Sequence, residues 1–183
     1  MTKVYFRHKE KGPAGFAALA AALFMFFILN VAQAETTIQN TIDIEVTTHL
    51  GDKQIFQRGD VISFLISLDR EAFVLMIYED AEHNIVQIIP NRYRQNNRYK
   101  TGLFMSVPNR DEPFEFVVSP PFGKETIWVF ASDQSFPILD GMEMENGLKK
   151  LSDDFQTVLS KIRSESSNRL YGETKTSITT AAR

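Results

Sequence analysis

Nine consecutive residues, Arg92-Tyr93-Arg94-Gln95-Asn96-Asn97-Arg98-Tyr99-Lys100, hold four cations and two tyrosines in a chain of formal net charge −3. Guanidinium forks match phosphate or carboxylate oxygens in pairs, and tyrosine faces stack on sugars, so the segment has the chemistry to hold an anionic glycan, a lipid headgroup or an acidic protein. The same composition also suits a solvated hairpin loop whose tyrosines cover a sheet edge. Arg92, Tyr93, Arg94, Arg98, Tyr99 and Lys100 are the candidate binding residues. Phe122 joins them, because the Pro120-Pro121 pair before it would hold the ring as an exposed anchor at low entropic cost. The plainer use of Pro-Pro-Phe-Gly is a crossing between sheets, with Gly123 taking an unusual backbone angle.

Catalytic and metal chemistry finds less support. Lys100-Thr101-Gly102 echoes a tripeptide of the penicillin-recognising enzymes, but the Ser-x-x-Lys nucleophile and the Ser-Asp-Asn that must accompany it are absent. The chain has no Gly-x-Ser-x-Gly elbow, no His-Glu-x-x-His and no phosphate-binding glycine loop. Glu79, Asp80, Glu82 and His83 crowd one turn, yet they lack the glycine-punctuated spacing that delivers six to eight oxygens to calcium. His49 and His83 lack an activating neighbour in the sequence, so no catalytic residue, metal or cofactor is expected. A hydrolase built from one of these histidines and a distant carboxylate is the alternative class.

The start of the chain bears on where such chemistry would operate. Lys3, Arg7, Lys9 and Lys11 precede an uncharged apolar run from Ala14 to Leu29, and Ala32-Gln33-Ala34 has the small-x-small pattern of a signal-peptidase site. A retained anchor needs roughly 20 apolar residues to cross the hydrocarbon core, more than this Ala-rich run supplies. Residues 1–34 are therefore read as a signal peptide, and the membrane as a transient partner only. Cysteine is absent, which excludes disulfides and a lipid-accepting thiol. The expected location is the bacterial periplasm or exterior, and the protein is not expected to be a lipoprotein. Cleavage removes four cations and one acid, taking the net charge from −3 to −6. That charge disfavours bulk binding to nucleic acid, which draws on a positive surface.

The remaining residues, 35–183, suit a single domain large enough to bury a core without disulfides. Ile42, Ile44 and Val46 alternate with polar residues, and Val61–Leu68, Phe73–Tyr78 and Ile85–Ile89 are β-like runs. The last two read as a hairpin, with Asn84 expected to take φ > 0. Leu103, Met105 and Val107, and then Phe114, Phe116 and Val118, alternate again. Thr126–Ala131 is apolar on both faces, which marks a central strand between two packed layers. Leu148, Leu151, Phe155, Val158, Leu159 and Ile162 fall at helical spacing, predicting one amphipathic helix over about 146–163, with an earlier start if Asp140 and Glu143 form a capping box. Tyr171–Thr180 is read as a final strand.

Three segments carry a likeness to a known family. Phe56-Gln57-Arg58-Gly59-Asp60-Val61-Ile62-Ser63-Phe64 gives an aromatic, Gly-Asp and hydrophobic-strand phrase. Phe73–Tyr78 is followed by Ile85-Val86-Gln87-Ile88-Ile89-Pro90-Asn91, a hairpin ending in Pro-Asn, and Pro120-Pro121-Phe122-Gly123-Lys124-Glu125 leads into a buried strand. Over about residues 55–133 the chain resembles the bacterial family called domain of unknown function 4384. It departs at His83-Asn84, where the family more often shows glycine. The resemblance implies a β-rich accessory module with a non-catalytic binding or adaptor role.

The combined expectation is a mostly β protein, an antiparallel sandwich of immunoglobulin-like shape with one late helix. A small closed barrel is the alternative architecture. The expected function is that of an exported interaction module of the cell envelope, binding an envelope protein or an anionic polymer through the 91–100 and 119–124 loops.

Overall fold

The computed structural model describes residues 41–51 and 53–182; the expected signal peptide lies outside the described residues. These described residues belong to one compact unit. In chain order its strands are β1 (Ile44–Thr48), β2 (Ile55–Gln57), β3 (Val61–Ile62), β4 (Phe64–Leu68), β5 (Ala72–Glu79), β6 (Ile85–Ile89), β7 (Arg98–Tyr99), β8 (Met105–Val107), β9 (Phe116–Val117), β10 (Lys124–Ser132), β11 (Gly141–Glu143) and β12 (Lys149–Leu151). Helix α1 (Phe155–Ser166) and strand β13 (Tyr171–Ala181) complete the described fold. It is mostly β, with several sheets and no barrel among the described residues.

An eight-stranded sheet runs β11-β12-β6-β5-β10-β13-β2, with β7 added beside β5. All of its pairs are antiparallel except β13 with β2, which is parallel and departs from the all-antiparallel expectation. Two smaller sheets, β1-β4-β8 and β3-β9, lie off this path. Strand β10 is central, as its two-sided apolar pattern requires. Ile127, Val129 and Ala131 point into a core shared with β4 residues Phe64 and Ile66, whereas Phe130 points into a second core shared with α1. Strand β5 divides the same way, Val74 and Met76 to the first core and Leu75 and Ile77 to the second. Alternation at period two thus produces three layers from two strands whose middle residues are apolar on both faces.

Helix α1 begins later than the apolar spacing predicts. Leu148 and Leu151 are three apart, which puts them on one face of a helix but on opposite faces of a strand. Here they belong to the hairpin β11–β12: Leu148 enters the first core and Leu151 the second. Gly147, at φ 79°, makes the reversal, with its N–H donating to the Met144 carbonyl (2.9 Å). That conformation is cheap only for glycine and ends any helix there. The expected Asp140–Glu143 cap is therefore replaced by Asp154, whose Oδ1 accepts from the N–H groups of Gln156 (2.9 Å) and Thr157 (3.1 Å). In the β5–β6 hairpin the residue at positive φ is His83 (65°), not Asn84. Asn84 instead donates its backbone N–H and its side-chain amide to Asp80 (both 2.8 Å), so the Asp80 carboxylate organises the turn in place of glycine.

Candidate functional site

The 91–100 segment is built from Asn91 outward. This buried residue accepts from the N–H groups of Tyr93 and Arg94 at its Oδ1 (both 2.8 Å) and donates from Nδ2 to the Ile88 carbonyl (2.9 Å), locking the exit from β6. Arg94 then turns inward. Its guanidinium donates to Glu112 (3.0 Å) and to the Tyr99 hydroxyl (3.2 Å), while Glu112 also accepts from the Asn109 N–H (2.8 Å). The side chains of Arg94 and Glu112 are only 10% and 4% exposed, so Arg94 joins two loops and does not present a free cation. Sequence reasoning missed Glu112, since nothing in its local pattern marks a partner 18 residues back.

The other cations stay outside. Arg92 pairs with Glu143 on β11, and Arg98 pairs with Glu71 (2.8 Å) while its guanidinium lies 5.6 Å from the Phe73 ring centroid. Such exposed pairs contribute little to stability and yield readily to a competing anion. Lys100 is exposed and takes part in none of the ion pairs seen among the described residues. Tyr93 is exposed, its ring lying over Gly147, where an added Cβ would come within 2.5 Å of it. Tyr99 is half-buried against the first core. Phe122 is not the exposed anchor expected. It is half-buried against the same core, and the segment works as a crossing in which Gly123 (φ 151°) donates its N–H to the Thr180 hydroxyl (3.1 Å).

Exposed apolar side chains appear beside the loop. Leu103 and Phe104 are 70% and 69% exposed, and with Ile66, Tyr99, Lys100 and Met105 they help line a groove of about 350 Å³. This groove brings Arg94, Tyr99 and Lys100 together. Arg92, Tyr93, Arg98 and Phe122 are not among its lining residues.

A second concavity, of about 310 Å³, opens against the first core and holds an acid that sequence reasoning passed over. Glu125, 5% exposed, lies on β10 in register with Ile178 of β13. Its Oε1 accepts from the Thr180 hydroxyl and its Oε2 from the Tyr78 hydroxyl, both at 2.7 Å. Burial raises its pKa above the ordinary value of 4.5, against the opposing pull of the two hydroxyl donors, and the Asp80 charge adds to the rise. Burial and the Glu125 carboxyl likewise push the Tyr78 phenol upward. A signal for this site existed: Glu125 shares a face with Ile127, Val129 and Ala131 at period two, an acid on the apolar side of a central strand.

Because the native state holds this proton more tightly than the unfolded chain, Glu125 stabilises the fold least when ionised. Wild-type stability should therefore fall, relative to Glu125→Gln, as pH rises from about 4.5 through the elevated native value. Urea unfolding of both proteins across about pH 4–8 reads the difference, and a constant gap would show that Glu125 titrates as it does in the unfolded chain. Asp69, Asp154 and Glu173 have lowered values, so their contributions change at lower pH and cancel between the two proteins.

The histidines lie apart from both concavities. His49 Nδ1 accepts from the Ser63 N–H (3.2 Å). His83 Nδ1 lies 2.7 Å from Glu79 on the exposed hairpin tip. No group of three or more metal-ligating side chains occurs among the described residues.

The segment that carries the loop, the groove and Glu125 is also the segment with a recognisable likeness. Residues 55–135 match the family described as Domain of unknown function (DUF4384). The matched segment starts at β2 and runs just past β10, so β1, the β11–β12 hairpin, α1 and β13 lie outside it. The second concavity straddles that limit, since Met144, Asn146, Leu148 and Ile178 complete its wall. No curated protein and no solved structure matches the chain.

Proposed function

We propose that this protein is an exported, non-catalytic interaction module of the bacterial cell envelope, whose 91–105 face holds an acidic segment of a partner protein. The observation that carries the reading is the groove that joins Lys100 and Tyr99 to the exposed Leu103 and Phe104. Apolar anchors beside the exposed Lys100, with Arg92 and Arg98 on the same loop outside the groove, suit a chain with both acidic and apolar side chains better than a purely ionic polymer. The signal-like residues 1–34 support export to the periplasm or beyond. The packing of the small sheets over one face of the large one supports the immunoglobulin-like sandwich as the scaffold of the module.

The test changes Arg92, Arg98 and Lys100 to serine, separately changes Phe104 to serine, and leaves Arg94 in place because it is internal. Retention of the purified protein on envelope fractions should fall at least about tenfold in each variant, with the triple variant also losing its salt dependence. Loss in the triple variant alone would point to an anionic glycan as the occupant. Retention unchanged in both variants and insensitive to salt would overturn the reading.

A further inference from the structure

The Glu125 concavity has a composition that specifies a ligand. Its lining includes two charged side chains, Glu115 and Glu125, and no cation. Glu115 is exposed at the rim with Val117 and Asn146, while Ile62, Ile88, Ile127 and Ile178 form buried apolar walls around Glu125. Phe64 and Phe116, edge to face with centroids 5.8 Å apart, add aromatic surface. We propose that this cavity binds a small amphipathic cation, a protonated amine on an apolar body, with Glu125 receiving the ammonium.

Four physical points select that class. An ionised carboxylate has about four lone-pair directions, and Tyr78 and Thr180 occupy one on each oxygen, so capacity remains for a third donor. A buried carboxylate without a cation is costly, and an incoming ammonium supplies both the missing charge and the hydrogen bond. Anions meet the opposite situation, since Glu115 stands at the rim and Glu125 within, and the lining holds no cation. The walls would take an alkyl or aryl body, with aromatic faces that favour a cation. This site shares no lining residue with the 91–105 groove, so neither reading depends on the other.

The experiment titrates the full chain near neutral pH with 2-phenylethylammonium, with the uncharged 2-phenylethanol and with the anion 3-phenylpropanoate, following binding by calorimetry and by the resonances of Tyr78 and Phe116. The ammonium should bind at least about tenfold more tightly than the alcohol, the scale of one charge-assisted hydrogen bond, and the anion should not bind. In Glu125→Gln the ammonium should lose this advantage. In the rim variant Glu115→Gln, which leaves the interior intact, it should weaken by about twofold while the alcohol is unchanged. No preference for the ammonium over the alcohol in the unaltered protein overturns the proposal by itself, as does no binding of either. A preference that survives in Glu125→Gln overturns the assigned role of Glu125. Should that variant not fold, the unaltered protein and Glu115→Gln still decide the matter.

Discussion

Glu112→Ala is expected to destabilise the protein by about 3–5 kcal/mol, because it strands the Arg94 guanidinium in a buried site without its counter-ion. Asn109 would lose the acceptor for its backbone N–H in the same step, and Asn91 one partner of its side-chain amide. Arg94→Ala should cost a similar amount by stranding the carboxylate. Replacing both together, Arg94 by Met and Glu112 by Leu, should recover the part of the loss that comes from a stranded charge, since an apolar pair carries no desolvation penalty, while the Asn109 N–H stays without its acceptor. Urea unfolding of the single and double variants reads these values, and costs that simply add would show that the two groups do not act as a unit. The consequence for function is direct. Lost binding in an Arg94 variant would report a loosened loop, whereas lost binding in a Lys100 or Phe104 variant would report a missing contact.

That distinction marks the limit of what the chain's local pattern conveys. The layering was legible because Thr126–Ala131 is apolar on both faces, the pattern of a strand covered on both sides. The cationic loop was equally legible as a composition. Its internal division was not: Arg94 and Arg98 look alike in sequence, and they differ only because the chain returns with Glu112 beside one and Glu71 beside the other. The helix start was misread because Leu148 and Leu151 satisfy helical spacing by chance of a hairpin whose two leucines enter different cores. Glu125 was readable from alternation alone as an acid on an apolar face. Its meaning comes from Tyr78 and Thr180, 47 and 55 residues away, which register brings to its two oxygens.

Phe130→Ala is expected to cost about 3–5 kcal/mol, the range for emptying a fully buried aromatic site. This is a large share of the 5–15 kcal/mol by which a typical domain is stable. Phe130 lies two residues before the end of the central strand β10, stacked on Trp128 with ring centroids 6.4 Å apart, and belongs to the core formed with Phe155, Val158, Leu159 and Ile162 of α1. A helix of 12 residues is too short to persist in water alone, so α1 owes its stability to this packing. The damage should therefore be uneven. In Phe130→Ala, amide exchange in α1 should accelerate more than exchange in β4, which supplies Phe64, Ile66 and Leu68 to the other core. The Asp154 cap and the Arg163 to Glu173 bond (Nε to Oε2 2.9 Å) fix the ends of the helix and would remain. If α1 kept its protection in this variant while global stability fell, those end contacts, and not the apolar face, would be what holds the helix to the sheet.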